Sequence, residues 1–207
     1  MIFAVLPVKA AGDAKQRLAH FLTAEHRERL ARAMYDEVLA TLCSVRGLDR
    51  VVVATSDAIA AERARQRGVE VFEEQEQLGH SQSADAAARK AMDLGAKIVL
   101  LLPIDVPLVT REEIEGLIAE SGDGVIVVPS ADGTGTNALV RSPPDAIPSC
   151  FGPGSFLKHL EQARVRGIPV KVRKPPGLLF DIDTPEDVEE LMVRAPQSRV
   201  AELLRQR

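Results

Sequence analysis

Two aspartates far apart in the chain have the setting that phosphate chemistry asks for. Asp105 follows the apolar run KIVLLL and the link Pro103-Ile104, and Asp183 lies in LFDIDTPEDV, two residues after Asp181. A pair of carboxylates supplies hard oxygen ligands that can hold a divalent cation against phosphate groups, as nucleotidyl and phosphoryl transfer require. A plainer role also fits these residues: Asp105 as a turn residue, Asp181 and Asp183 as acids favouring the dipole of a following helix. The segment VKAAGDAKQRLA, after the first apolar run, carries Lys9, Gly12, Lys15 and Arg17. Cations and free backbone N–H groups in such a loop suit a triphosphate. The loop has neither the GxxxxGK[ST] nor the GxGxxG spacing, and Lys15 and Arg17 could equally be ordinary solvated residues.

Three further polar segments could contact a small ligand. In DGTGTNAL (132–139), Thr136 and Asn137 begin a strand beside a flexible turn and could hold the polar end of an acceptor, although turn chemistry alone explains the glycines. In CFGPGSFLKH (150–159), Gly152 and Ser155 stand near a helix start and could offer N–H and hydroxyl donors to a phosphate or carboxylate. In LGHSQSADAAARKA, the run His80, Ser81, Gln82, Ser83 offers base or ribose contacts, with an N-cap by Ser81 or Ser83 as the simpler role. His20, His26, His80 and His159 show no metal-ligand spacing, and no GxSxG elbow or Ser/His/Asp set is evident.

The elements that must position these groups follow from periodicity. Strand-like runs are IFAVLPV (2–8), RVVVAT (50–55), VEVF (69–72), KIVLLL (97–102), GVIVVPS (124–130), TNALVR (136–141), IPVKVR (168–173) and a short LLFDI. Between them, helices are expected over about 23–44 with Leu30, Met34, Val38 and Leu42 on one stripe, then 57–66, 82–94, 110–119, and from FGPGSF to about Arg166. A last helix opens at Thr184-Pro185-Glu186-Asp187, where Thr184 is a good N-cap and Pro185 suits the first helical position. Residues 197–207 form either a terminal helix or a frayed tail. Repeated strand–helix units imply an α/β fold with a parallel sheet between helices, here one domain over 1–207, and a cleft at the carboxyl ends of the strands. Asp105 would then sit at that edge.

Composition narrows the partners. With 207 residues the chain can bury a core without staples, and its net charge of −4 is interspersed, which leaves no basic footprint for nucleic acid. Cys43 and Cys150 stand far apart and read as small packing residues. The N-terminus runs straight into an apolar strand with no basic n-region, and no stretch reaches membrane-spanning length, so a soluble cytoplasmic protein with no membrane partner is expected. With no Trp and one Tyr, a stacking platform for single strands is not expected either.

Taken together and in order, LPVKxxxxAKQRLA, LLPIDVPL, DGTGTNAL, FGPGSFxxH and FDIDTPEDV resemble the CofC/FbiD family of guanylyltransferases of coenzyme F420 biosynthesis, over nearly the whole chain. The resemblance implies a single-domain nucleotidyltransferase fold of the GT-A kind, with a mixed, mostly parallel sheet. It implies transfer of GMP from GTP to the phosphate of a three-carbon phospho-acid, with release of pyrophosphate. Phosphoenolpyruvate is the favoured acceptor, beside 2-phospho-L-lactate and 3-phospho-D-glycerate. Carried over by residue, it implies that Asp105 and Asp183 bind Mg2+ and that Lys9, Lys15 and Arg17 hold the GTP phosphates, with Lys15 sharing in catalysis. Thr136, Gly152 and Ser155 would take the acceptor's carboxylate or phosphate; from the segments themselves, Asn137 is added to the acceptor contacts and Ser83 to the nucleotide contacts. The segment GHSQS (79–83) departs from the GLN-type segment of many members, which leaves the strictness of guanine selection open. A homodimer and a hand-over of product to the next enzyme of the pathway are also open. Two other readings are a molybdopterin guanylyltransferase, against which the missing GG-x-S/A-x-R-M-G signature speaks, and a nucleotide-binding module without catalysis, against which the paired aspartates speak.

Overall fold

The computed structural model describes residues 1–10, 15–76 and 78–205. Gly12, named above for the phosphate loop, lies outside them. A seven-stranded sheet has the order β3-β2-β1-β4-β6-β5-β7, built from β1 (Ile2–Val8), β2 (Arg50–Thr55), β3 (Glu70–Glu73), β4 (Ile98–Leu101), β5 (Gly124–Pro129), β6 (Thr136–Ser142) and β7 (Val170–Val172). β1 pairs in parallel with β2 and β4, β2 with β3, and β5 with β7, while β6 runs antiparallel to both β4 and β5. The sheet is thus mixed and mostly parallel, and it forms a single α/β domain.

Strand alternation sends successive side chains to opposite faces, and the helices cover both. Ala4, Leu6 and Val8 face one core, shared with α1 (Ala24–Ser44), α2 (Ala58–Gln66) and α4 (Arg111–Ala119). Phe3 and Val5 face the other, closed by α3 (His80–Asp93) and α5 (Ser155–Arg166). The stripe expected on α1 is buried throughout but divides between two partners. Val38 and Leu42 pack on the sheet, whereas Leu30 and Met34 join a third cluster with α7 (Pro185–Arg194) and α8 (Arg199–Arg205). The C-terminal segment through Arg205 is therefore not frayed: α8 buries Val200, Ala201 and Leu204.

Three expectations change. The run LLFDI is not a strand: Pro176–Leu179 forms a helical turn, α6, with a proline in its first turn, and Phe180 to Asp183 continue without joining the sheet. The third helix starts at His80, capped by Gly79 rather than by Ser81 or Ser83, with the Gln82 side chain accepting from the Gly79 N–H at 3.3 Å. Cys43 is exposed on α1 rather than packed.

The topology decides where a ligand can sit. From β1 the chain steps to β2 on one side, and β4 joins β1 on the other, so the connections leaving these two strands diverge and open a crevice beyond their carboxyl ends. Lys9 follows β1 and Asp105 follows β4. Because β6 is antiparallel, its first residues, Thr136 and Asn137, come to the same edge.

Candidate active site

A cleft of about 1210 Å3 occupies that edge, lined among others by Lys9, Arg17, Asp105, Asp183, Thr136 and Ser155. At its base the Lys15 ammonium lies 2.5 Å from Asp105 Oδ1 and 2.9 Å from Asp183 Oδ1. Arg17 Nη1 is 3.6 Å from Asp183 Oδ2, with its side chain mostly exposed. Lys15 is the one non-glycine residue with positive φ among the described residues, at φ 54°, and begins the short 3-10 turn Gln16–Leu18. Burial alone would lower its pKa, but the Coulombic pull and hydrogen bonds of Asp105 and Asp183 outweigh that and hold it above its ordinary value.

Local structure explains the convergence. The Ile182 N–H donates to the Asp105 carbonyl at 3.0 Å, which ties the segment carrying Asp183 to the end of β4. The Asp187 carboxylate accepts from the Asp183 and Thr184 N–H groups at 2.8 and 2.7 Å, while the Thr184 hydroxyl accepts from the Asp187 N–H, completing the capping box read from TPED. On the other side, the Gly177 N–H donates to Glu113 Oε1 at 2.6 Å, which fastens α6 to the start of α4. Asp181 points toward the Asn137 amide, which donates to it at 3.0 Å. Burial raises the Asp181 pKa, and the charges of Asp183 and Asp105 add to that rise against the Asn137 bond.

Two carboxylate oxygens aimed at one cationic nitrogen already form a cation site in outline. Their hard oxygen chemistry fits a divalent metal of the kind that completes its shell with substrate phosphates and water. No cluster of three or more His, Cys, Asp or Glu side chains suited to a metal occurs among the described residues; Asp105 and Asp183 could supply two protein oxygens to such an ion.

The loop before α5 contributes a further polar group to the cleft. Gly152 and Gly154 adopt φ +114° and +70°, conformations that a side chain would strain, and the turn they make delivers Ser155 to the first position of α5. The Ser155 N–H is taken by the Gly152 carbonyl at 3.0 Å, so its contribution to a ligand is the hydroxyl rather than the amide. That hydroxyl lies 3.1 Å from Thr136 Oγ1, and Thr136 Oγ1 lies 3.0 Å from His159 Nδ1. His80 lines the cleft with its ring edge-on to Phe151, centroids 4.8 Å apart. Burial lowers its pKa, Lys9 lowers it further and Asp105 opposes them, so the ring is neutral at pH 7.

A family model described as "Guanylyl transferase CofC like" matches residues 2–207. The chain belongs to the CofC family. It is 38% identical to a phosphoenolpyruvate guanylyltransferase of Sphaerobacter thermophilus over 93% of each chain. It is 32% identical to a 2-phospho-L-lactate guanylyltransferase of Methanothermobacter thermautotrophicus, over 98% of this chain and 89% of the relative. A 3-phospho-D-glycerate guanylyltransferase of Colwellia psychrerythraea is 34% identical over 90% and 89%. In fold the chain resembles a nucleotidyl transferase of Methanothermobacter, with a TM-score of 0.67 at 19% identity over 100% and 99% of the two chains. This CofC-family protein is thus an enzyme, a guanylyltransferase on a nucleotidyltransferase fold.

Of the residues singled out in the sequence, Lys9, Arg17, Asp105, Asp183, Thr136, Gly152 and Ser155 line the cleft, and Lys15 joins them through its contacts with Asp105 and Asp183. Two do not fit the roles given them. Ser83 is buried, with its hydroxyl on Glu74, because it falls on the stripe with Ala84, Ala87, Ala88 and Ala91 that faces the sheet. Asn137 lines the cleft, but its amide nitrogen is committed to the Leu178 carbonyl at 2.9 Å, the Leu179 carbonyl at 3.2 Å and Asp181, so it fastens α6 and the following segment rather than offering donors to an acceptor. The sequence reading passed over His159, although its spacing of four from Ser155 places both on one helix face.

Proposed function

We propose that this guanylyltransferase transfers GMP from GTP to the phosphate of phosphoenolpyruvate, with Mg2+ as its metal, in the biosynthesis of coenzyme F420. The observation that carries the reading is the shared cleft: Asp105 and Asp183, both bound by Lys15, line one continuous space with Thr136 and Ser155. The phosphoenolpyruvate names of relatives at 38% and 39% identity support the choice of acceptor.

An acceptor phosphate oxygen forms the new bond to the α-phosphorus, and the bond from that phosphorus to the oxygen bridging toward the β-phosphorus breaks, releasing pyrophosphate. A phosphate monoester is already largely ionised near neutral pH, so no general base is needed. Lys9, Lys15 and Arg17 neutralise the triphosphate and the charge that grows on the leaving oxygens. Asp105 and Asp183 hold the metal, which when bound supplies a Lewis acid for the phosphoryl oxygens. Thr136, Gly152 and Ser155 orient the acceptor, whose alignment for in-line attack is worth several orders of magnitude in rate.

The test is pyrophosphate release from GTP and Mg2+ with phosphoenolpyruvate, 2-phospho-L-lactate and 3-phospho-D-glycerate offered separately, beside ATP and CTP controls. Turnover is expected with phosphoenolpyruvate and GTP. Preference for another of the three acids would overturn the acceptor choice, and silence with all three would overturn the reaction as written.

A further inference from the structure

We propose that His159 is a positioning residue for the acceptor: through its neutral Nδ1–H form it fixes the polarity of the Thr136–Ser155 hydroxyl pair, so that one hydroxyl hydrogen is left pointing at the acceptor's oxyanion. This rests on the guanylyl-transfer reading above and on the assignment of Thr136 and Ser155 to the acceptor. His159 itself is wholly buried and does not line the cleft.

The tautomer follows from its partners. The Cys150 N–H lies 2.8 Å from His159 Nε2 and can only donate, so Nε2 presents its lone pair. A neutral ring then carries its hydrogen on Nδ1, which donates to Thr136 Oγ1 at 3.0 Å. Thr136 Oγ1 and Ser155 Oγ, 3.1 Å apart, share one further hydrogen bond, which uses one of their two hydroxyl hydrogens whichever residue donates it. The other hydrogen has no place in the Cys150–His159–Thr136–Ser155 chain. Both residues line the cleft, and the free hydrogen is available to an anion there.

The reverse polarity would be costly. If Nδ1 carried the lone pair, Thr136 would donate to it, Ser155 would donate to Thr136, and both hydrogens would be spent. Only oxygen lone pairs would then face the acceptor's negative charge. The surroundings keep the ring in the required form. Burial, with Arg141 adding to it and Asp85 opposing, pushes the His159 pKa down to about 4, so the ring is neutral at physiological pH. The loop that supplies the Cys150 N–H is itself anchored: Arg141 Nη1, almost fully buried on β6, donates to Asp85 at 2.8 Å and to the Ile147 carbonyl at 2.7 Å, and Asp85 accepts from the Ser149 N–H at 3.1 Å. Phe151 packs edge-on against the same imidazole, with centroids 5.4 Å apart.

Two variants separate polarity from loop anchoring. His159→Asn can keep an N–H donor at the place of Nδ1 while losing the Cys150 contact, whereas His159→Leu loses both. With the wild-type enzyme and phosphoenolpyruvate, His159→Leu is expected to raise the acceptor KM by about tenfold or more while leaving the GTP KM within about twofold, and His159→Asn to recover most of that loss. Equal damage by Asn and Leu, or a GTP KM that moves in step with the acceptor KM, would overturn the proposal. Nitrogen-15 NMR of the wild-type imidazole at neutral pH supplies a readout that needs neither turnover nor a folded variant. A protonated Nδ1 with a bare Nε2 is expected, and a hydrogen on Nε2 overturns the proposal. Wild-type silence with every acceptor, despite the expected tautomer, would instead locate the failure in the guanylyl-transfer reading.

Discussion

At the scale of single residues the site is a charge balance, and Lys15 is its pivot. Its side chain is only 4% exposed and contacts two carboxylates that would otherwise repel each other. Truncation in Lys15→Ala leaves Asp105 and Asp183 uncompensated. The expected loss of stability is about 1–3 kcal/mol, below the range for a fully buried pair because the Asp183 side chain is 36% exposed and partly screened. The ammonium and Mg2+ would compete for the same oxygens, so the metal should stabilise Lys15→Ala more than the wild type by simple mass action. Thermal midpoints with and without Mg2+ check this, and an equal metal response in the two proteins would argue against the paired aspartates as the metal site. Asp105→Asn removes one of those ligands while leaving the Lys15–Asp183 contact in place. Pyrophosphate release should fall by about a hundredfold or more with little change in midpoint, and a near-normal rate would remove Asp105 from the chemistry.

At the scale of elements, the site is held together by links between segments outside the sheet. Asn137, the second residue of β6, ties α6 and Asp181 to that strand through one amide nitrogen. Asn137→Leu keeps the bulk and deletes the donors, leaving the Leu178 carbonyl and the Asp181 carboxylate short of a partner. A destabilisation of about 1–3 kcal/mol is expected in urea unfolding, together with a fall in kcat from misplacement of Asp183, and unchanged kcat would show that the 176–183 segment keeps its place without this tie. The same region marks the limit of what the sequence discloses. Strands β1, β2 and β4 were legible because apolar runs of strand length alternate with helical stripes, and the TPED cap because its chemistry is local. LLFDI was not, because a short apolar run fits a strand and a buried helical turn equally, and Pro175-Pro176-Gly177 was the only local sign of the turn. Lys15, Asp105 and Asp183 each had a plainer role in the sequence, and it is the fold that brings their side chains into contact. Ser83 was misjudged although its place on the alanine stripe was visible, and His159 was passed over because a lone helical histidine is ordinarily core until its partners from β6 and the loop before α5 are known.

At the scale of the whole molecule, the polar chain behind the acceptor side couples the site to acid stability. His159 is fully buried and neutral, with a pKa near 4 against an ordinary value of about 6.5, so between these values the unfolded chain binds the proton that the folded chain refuses. Its contribution is fully present above about pH 6.5, is lost progressively as the pH falls toward 4, and amounts to on the order of 3 kcal/mol. For a domain whose total stability is about 5–15 kcal/mol, that is a large share. His80, also depressed by burial, acts with the same sign, whereas Asp181, whose pKa is raised, gains relative stability as it protonates on the way down to pH 3.8 and so acts in the opposite sense. Asp132, held down to about 2 by Ser130 and Thr134, adds a loss only below about pH 3.8, where its unfolded form protonates first; being largely exposed, it is screened. These windows overlap, so variants are needed to separate the groups. Urea unfolding at pH 7, 5.5 and 4.5 should show wild-type stability falling across this range, and the slope should flatten in His159→Asn, which has no imidazole to titrate, even though that variant starts from a lower value at pH 7. A variant slope as steep as that of the wild type would place the proton uptake on another group, and His80→Asn would then identify whether the cleft-lining ring is the one that titrates.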